Sequence, residues 1–200
     1  MNSCFDENLR QIISGYALLT HASLNAIVEN CTVKSLKKDE YLVRQQRSDA
    51  HEYFLIDGII QRSKFDSKDQ CVTIGFYMPG SALTPHYART DNGMHIFNLQ
   101  ALTDCTLAKI PVNTLDSLRF SDADIRFFGQ KVVEAELFRS IAHEISFRSL
   151  NAKERLIALR SDYPNIENRV AHSVIASYLG ITPVSFSRLR NELANSDFVS

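Results

Sequence analysis

The spacing of apolar residues divides the chain into three zones with different periods. Residues 5–30 carry apolar side chains three or four positions apart, which is the repeat of an amphipathic helix. The repeat is interrupted around residues 20–23, so we expect two short helices instead of one. The positions that carry the pattern are Leu9, Ile12, Ile13, Tyr16, Leu24, Ile27 and Val28.

Residues 31–115 change to a period of two and are rich in β-branched and aromatic residues. Turn-forming clusters, such as Asp57-Gly58 and Pro79-Gly80, separate the apolar runs. Short strands at such regular spacing predict an antiparallel barrel or roll. The apolar runs lie at residues 53–56, 59–60, 71–77, 96–99 and 106–110.

The third zone begins after Asp122 and keeps a helical period through at least Arg148. A helix of roughly 25 residues would be about 38 Å long. Its broad apolar stripe needs a partner surface, and the heptad-like steps favour pairing with the same helix of a second chain. The alternative is that the helix packs only on its own roll. The predicted dimer-interface residues are Phe128, Val132, Ala135, Phe138, Ile141, Ala142 and Ile145.

Residues 172–193 predict two short helices separated by Gly180, which is the layout of a helix-turn-helix. Thr182 can cap the second helix through its hydroxyl, and Pro183 suits the first helical position because its missing N–H would have no partner there. One face of this helix is apolar, and the other is small and polar with Arg188 in it. An arginine there can donate two hydrogen bonds to guanine in a major groove. The alternative is a buried αα-hairpin of another all-helical domain.

The charge distribution supports a nucleic-acid contact in this region. Residues 148–193 hold seven Lys and Arg against four Asp and Glu, whereas residues 1–147 hold fifteen against eighteen. The modest local excess predicts a few phosphate contacts and a salt-dependent affinity. Ser173 lies at the start of the first helix, where its hydroxyl can contact a phosphate or cap the helix. The predicted DNA-binding residues are Ser173, Thr182, Pro183, Val184, Ser185, Ser187, Arg188, Arg190 and Asn191.

A further helical pattern joins the long helix to this pair, with Ser149 or Asn151 as its N-cap. It ends before Pro164, since the residue before a proline is pushed out of the helical region. We therefore expect three domains. They are a sensor domain at 1–121, a dimerisation helix at 122–148 and a DNA-binding domain at 149–200.

Several classes of chemistry have no counterpart in the sequence. The four cysteines and six histidines are scattered without metal-ligand spacing, so we expect no metal site. No nucleophile stands near a base in a recognisable pattern and no glycine-rich phosphate loop occurs, so we expect no catalytic residues and no enzyme. No run of eighteen apolar residues and no signal-peptide pattern are present, so we expect a cytoplasmic protein without a membrane partner.

The order of the elements, together with three stretches of sequence, resembles the Crp/Fnr family of bacterial transcription regulators. The stretches are Gly58-Ile59-Ile60, residues 99–110 and residues 175–190. The last is the most specific, since the sequence motif from Ala176 through Leu179-Gly180-Ile181-Thr182-Pro183 resembles that of the Crp-type regulators of Bacteroidetes. Those regulators usually carry Glu where this chain has Val184. Valine offers methyl contact, most naturally to thymine, in place of an acceptor for cytosine N4.

The resemblance implies an α+β fold with three parts. An N-terminal antiparallel β-roll, a double-stranded β-helix like that of cyclic nucleotide-binding domains, precedes a long dimerisation helix and a C-terminal helical helix-turn-helix domain. The resemblance also implies a homodimer that reads a palindromic operator in double-stranded DNA and contacts RNA polymerase. The rival hypothesis is a ligand-sensing module of the same fold that acts through protein partners without specific DNA binding.

The family's cyclic-nucleotide pocket is not reproduced here. Its Gly-Glu and Arg-small pairs fall, without gaps, on Thr84-Pro85 and His95-Ile96. Proline has no side-chain acceptor for the ribose hydroxyl, and a mostly neutral histidine does not replace a guanidinium. Arg89 is the other cation of this loop. We expect no cofactor and no cyclic AMP binding, which leaves a different small molecule, a ligand-free scaffold or sensing through partner proteins.

The family usually continues past its second helix into a β-hairpin wing. Only seven residues follow Leu193 in this sequence, so we expect no full wing and fewer phosphate contacts than winged relatives make.

Overall fold

The computed structural model describes residues 3–196, and the chain folds into two units. The first unit comprises Met1–Arg62 and Phe76–Arg139, and the second comprises Ser63–Gly75 and Ser140–Ser200. The three-domain division at residues 121 and 148 stays a prediction. Between residues 3 and 196, no helix has the length and apolar character needed to cross a membrane.

Two short helices open the first unit, as predicted. Helix α1 spans Ser3–Tyr16 and helix α2 spans His21–Glu29. Thr20 caps α2, because its hydroxyl accepts a hydrogen bond from the Ser23 backbone N–H at 3.3 Å. The apolar faces of both helices belong to a core shared with the sheet and the long helix, whose members include Leu9, Ile13, Ile27, Phe54, Ala108, Ile125 and Phe128.

The described residues contain ten short strands, most of them in two four-stranded sheets. One sheet has the order β1-β10-β3-β6 and the other β2-β9-β4-β5, while β7 and β8 form a separate hairpin. The pairs β1–β10, β10–β3 and β3–β6 are antiparallel, in agreement with the predicted roll. The strands are β1 Thr32–Leu36, β2 Tyr41–Val43, β3 His51–Asp57, β4 Ile60–Phe65, β5 Cys71–Tyr77, β6 Ser81–Ala82, β7 Thr90–Asp91, β8 Met94–His95, β9 Asn98–Ala101 and β10 Cys105–Pro111.

Gly58 makes the turn between β3 and β4 with a φ of +97°. A Cβ at this position would come within 2.5 Å of the Asp104 carbonyl oxygen and 2.9 Å of the Cys105 Cα. A larger residue would therefore displace backbone atoms. The two residues that follow, Ile59 and Ile60, are fully buried, so this stretch has a packing role.

Two short helices of the first unit were not predicted. Helix α3 spans His86–Arg89 and helix α4 spans Val112–Ser121. Leu115 is the buried residue of α4, so this segment carries little of the apolar period that signals a helix. The run predicted as a strand at 96–99 enters β9 only from Asn98, because the β7–β8 hairpin occupies the chain just before it.

The long helix α5 spans Ala123–Ser149, one residue from the predicted range at each end. Asp122 caps it, since one carboxylate oxygen accepts from the backbone N–H groups of Asp124 at 2.8 Å and Ile125 at 3.2 Å. Phe128 and Val132 are 1% and 7% exposed and lie in the core of their own unit. Their assignment to a dimer interface is wrong, because their side chains leave almost no surface for a second chain.

The second unit contains the end of α5, the segment 63–75 and four further helices. Asn151 caps the first of them in a capping box: its side chain accepts from the Glu154 backbone N–H at 3.0 Å, and the Glu154 carboxylate accepts from the Asn151 N–H at 2.8 Å. This helix ends before Pro164, as predicted. The helices are α6 Ala152–Asp162, α7 Ile166–Arg169, α8 His172–Tyr178 and α9 Pro183–Ser196, of which α7 was not predicted. The prediction that the chain has no full wing concerns residues 194–200, of which residues 197–200 lie outside the described residues.

Candidate nucleic-acid interface and roll interior

Helices α8 and α9 occupy the positions that the sequence predicted for two short helices. The turn between them contains Gly180 at a φ of +67°, and the Ile181 N–H donates to the Ala176 carbonyl oxygen at 3.0 Å. These features close the C-terminal end of α8 in the manner of a glycine cap. The side chains that the pair buries are Ile175, Ala176, Leu179, Phe186 and Leu193.

The start of α9 has the predicted cap. The Thr182 hydroxyl accepts from the Ser185 backbone N–H at 3.1 Å, and Pro183 is the first helical residue. The start of α8 differs. Ala171 occupies its N-cap position, and no side chain accepts a hydrogen bond from the backbone N–H groups there. Ser173 is exposed in the first turn of α8, so its hydroxyl is not the cap of this helix.

The outer face of α9 points away from the protein interior. Val184 is 61% exposed, and Ser187, Arg188 and Asn191 are exposed as well. Arg190 is half-buried and donates to the His172 ring at 2.9 Å. The face that remains is small and polar with one outward guanidinium, which is the chemistry that reads base edges.

Arg155 holds the end of α8 against the start of α6. Its guanidinium donates to the Leu179 carbonyl oxygen at 3.1 and 2.9 Å and to the Leu150 carbonyl oxygen at 2.7 Å. It also lies over the Phe147 ring at 5.0 Å from the centroid. Arg155 therefore positions the α8–α9 pair on the rest of the second unit. The sequence did not predict this role of Arg155, because its partners are backbone carbonyl oxygens, which every residue carries.

Thr84, one of the predicted pocket residues, belongs to a partly buried polar cluster in the first unit. We call this set, formed by Arg62, Tyr77, Thr84, Glu136 and Arg139, the Glu136 cluster. The Glu136 carboxylate accepts from the Thr84 hydroxyl at 2.9 Å, from Arg139 at 2.7 Å and from Arg62. The Thr84 hydroxyl also bonds the Tyr77 hydroxyl. Four members were missed in the sequence, because Arg62 and Tyr77 lie on strands far along the chain from Glu136 and Arg139 of α5.

Arg89 is fully buried, and its guanidinium is held by protein groups. It donates to the Thr84 carbonyl oxygen at 2.6 Å, to the His51 carbonyl oxygen and to the Glu52 carboxylate at 3.2 Å. Asp49 lies 3.6 Å from the same guanidinium. An anionic ligand would have to compete with these bonds for the two Nη groups of Arg89.

The other predicted pocket residues, Pro85, His95 and Ile96, differ in their surroundings. Pro85 is the N-cap of α3, and Ile96 is 40% exposed. His95 is buried, and burial together with the nearby Arg89 guanidinium holds its pKa below the ordinary value. A neutral imidazole in this position gives no fixed positive charge for a phosphate.

Asp49 also carries a shifted pKa. Burial raises it, but the hydrogen bonds from His51 and Tyr53 lower it more, and the net result is a pKa below the ordinary value. The Asp49 carboxylate is therefore ionised beside the Arg89 guanidinium, 3.6 Å away.

The later part of the predicted dimer stripe is exposed. Phe138, Ile141 and Ile145 are 76%, 48% and 59% exposed, and Leu137 widens the stripe at 59%. Ala142 is exposed and Ala135 is half-buried. Three- and four-residue steps place Phe138, Ile141 and Ile145 on one face of α5. The helix therefore presents an apolar surface over its last three turns.

Sequence comparison matches residues 33–122 to the cyclic nucleotide-binding domain. The matched range contains nearly all of the roll, so the two sheets are similar to this class of domain. None of the curated proteins compared with the chain matches it in sequence.

Solved structures extend the likeness to the helices. FixK2 from Bradyrhizobium japonicum has a TM-score of 0.71 at 19% identity, over 84% of this chain and 86% of that chain. The c-di-GMP responsive global regulator CLP of Xanthomonas campestris has a TM-score of 0.70 at 14% identity, over 88% and 92%. A transcriptional regulator of the Crp/Fnr family from Eubacterium rectale has a TM-score of 0.69 at 13% identity, over 89% and 85%. The predicted α+β fold, a roll followed by helices, is confirmed.

Proposed function

We propose that this protein is a DNA-binding transcription regulator of the Crp/Fnr type. The observation that carries the proposal is the outer face of α9, where Val184, Ser187 and Arg188 are exposed on a helix whose other side is buried. The local excess of basic residues at 148–193 supports it. The solved regulators that share the fold over most of the chain support it as well.

In this proposal two copies of the chain pair through α5 and present two α9 helices to the halves of a palindromic operator. The exposed stripe of Phe138, Ile141 and Ile145 supports pairing, because large apolar side chains in heptad-like steps are costly to leave in water. A two-fold dimer gives a two-fold operator, with half-sites about one helical turn of DNA apart.

The test is selection of bound duplexes from a random pool, followed by fluorescence anisotropy on the enriched sequence. We expect an inverted repeat, a linear fall of log affinity with log salt concentration, and tighter binding than to scrambled duplex. Enrichment of no sequence, together with no salt-dependent binding to any duplex, would favour the rival sensory module.

We also propose that cyclic AMP is not the effector. Pro85 and His95 do not provide the ribose acceptor and fixed cation that the pocket needs, and the Arg89 guanidinium is held by Glu52 and by carbonyl oxygens. Calorimetric titration with cyclic AMP should give no heat of binding. Tight binding would overturn this part and leave the DNA-binding proposal standing.

A further inference from the structure

The Glu136 cluster joins helix α5 to the roll through one carboxylate. Glu136 is on α5, whereas Arg62 is on β4, Tyr77 ends β5 and Thr84 follows β6. One carboxylate oxygen accepts from both Arg62 and Thr84, and the other accepts from Arg139 at 2.7 Å. The side chains of Arg62 and Glu136 are 13% and 12% exposed, so water replaces these contacts poorly.

The roll side of the cluster is arranged so that its donors point toward the carboxylate. The Thr84 backbone N–H donates to the Tyr77 hydroxyl at 3.3 Å, which leaves the Tyr77 proton for the Thr84 hydroxyl oxygen. The Thr84 proton is then directed to Glu136 at 2.9 Å. The Arg62 guanidinium lies 5.5 Å from the Phe97 ring centroid and 5.9 Å from that of Tyr77, which holds it in place. This is an anion site built from a cation and a hydroxyl relay.

The charges of the cluster favour an anion at this point. Two guanidinium groups, those of Arg62 and Arg139, face one carboxylate. Removing the carboxylate would leave two like charges close together, with the Arg62 side chain only 13% exposed, which costs more than losing a surface ion pair. The site therefore needs a negative group whether or not a small molecule is bound.

We propose that the Glu136 side chain is a built-in ligand of the roll, occupying an anion site formed by Arg62, Tyr77, Thr84 and Arg139. It holds α5 on the roll without a small-molecule effector. The site takes a carboxylate, so a chain that lacks the Glu136 carboxylate should bind a small free carboxylate in its place. The anion site does not rest on the proposed function.

The experiment is chemical rescue of Glu136→Ala in the full-length protein, followed by thermal unfolding. We expect the midpoint to fall by about 10 °C, because one partner of a mostly buried ion pair is removed. Formate or acetate should restore much of the loss in the millimolar range, since so few atoms bind weakly. Sodium chloride at the same ionic strength should not, and the unmodified protein should not respond to formate.

Glu134→Ala is the matched control. Glu134 is on the same helix two residues earlier, 47% exposed, and pairs with Lys131 at 2.6 Å. Its loss should change the midpoint little, and formate should not affect it. A folded Glu136→Ala protein whose midpoint ignores formate and acetate would overturn the inference.

A double-mutant cycle keeps the test decisive if Glu136→Ala does not fold. Glu136→Gln keeps the shape of the side chain, and Arg62→Met removes the cation with a similar volume. The double variant should be more stable than the sum of the two losses predicts, because neither charge is then left alone. Strict additivity would contradict the inference. Rescue by formate in a protein that binds no DNA would support the anion site and reject the proposed function.

Discussion

The position that a Cβ would take on Gly180 lies 2.8 Å from two ring carbons of Phe147. Gly180 turns the chain between α8 and α9 with a φ of +67°, a conformation that residues with a side chain rarely adopt. The ring of Phe147, near the end of α5, therefore packs on the bare backbone of this turn. A methyl group at this position would force the Phe147 ring to shift, so the contact in its present form depends on glycine.

Gly180→Ala should destabilise the protein by about 1–3 kcal/mol, because it combines backbone strain with a steric clash. Denaturant unfolding followed by circular dichroism measures the loss. Gly15→Ala is the matched control, since a Cβ at Gly15 meets nothing within 4 Å and the residue is inside helix α1. The control should be neutral or slightly more stable. Equal stability of the two variants would show that the turn relaxes freely.

Arg188→Ala should abolish selective operator binding while leaving the protein folded and dimeric. The exposed guanidinium is the one that we expect to contact a base edge, and its loss should weaken specific binding by roughly 10–100-fold. Competition gel shifts against random duplex measure the selectivity. Lys37→Ala removes an exposed cation of the roll, 2.8 Å from Asp104, and should leave selectivity unchanged. Discrimination by the Arg188 variant equal to that of the unmodified chain would rule out this role.

Phe138→Asp should convert the proposed dimer into a monomer. The side chain is 76% exposed at the start of the exposed stripe, and in the proposed dimer a carboxylate there would be buried against the second chain. Light scattering should then give the mass of one chain, 22.7 kDa, in place of twice that mass. Phe120→Asp is the matched control, because Phe120 is 87% exposed on α4 and outside the stripe. Dimerisation is refuted if the unmodified protein stays monomeric at every concentration.

The lowered pKa of His95 should make the protein less stable in mild acid. Burial and the Arg89 guanidinium lower its pKa from the ordinary 6.5, with His86 adding to this and Asp49 opposing it. At pH values well above 6.5 the imidazole is neutral in both states, so it contributes no pH dependence. As the pH falls below 6.5 the unfolded chain binds the proton first, and the free energy of unfolding decreases.

The measurement is denaturant unfolding at a series of pH values between neutral and mildly acidic. His95→Gln should flatten this dependence, because the replacement side chain does not titrate. His21→Gln is the control, since His21 is an exposed residue of α2. A His95→Gln protein with the same pH slope as the unmodified chain would assign the effect to other groups.

Local signals in the sequence predicted much of the fold. Thr182, Pro183 and Gly180 each act within a few residues of their own position, and the start of α9 and the turn before it were predicted correctly. The apolar period likewise predicted α1, α2 and α5. It did not predict α4, whose one well-buried side chain, Leu115, leaves no repeat to detect.

Long-range relationships were not accessible in this way. A helical stripe shows which residues share a face, but not what covers that face. Phe128 and Val132 therefore look equivalent to Phe138 in the sequence, although the first two are buried in their own unit. Arg62 and Glu136 are 74 positions apart, and no local pattern links them. They meet only in the folded chain, where α5 lies beside β4.

The Ser177 hydroxyl accepts from the Thr73 backbone N–H at 3.0 Å and donates to the Cys71 carbonyl oxygen at 3.3 Å. Through such bonds the segment Ser63–Gly75 belongs to the unit of the C-terminal helices, so the chain passes from one unit to the other at three places. A single protease cut or a simple truncation therefore cannot release the complete second unit. A fragment that begins at residue 140 would lack Cys71 and Thr73, the hydrogen-bond partners of the Ser177 hydroxyl. Instability of such a fragment would reflect these lost bonds and not the helices themselves.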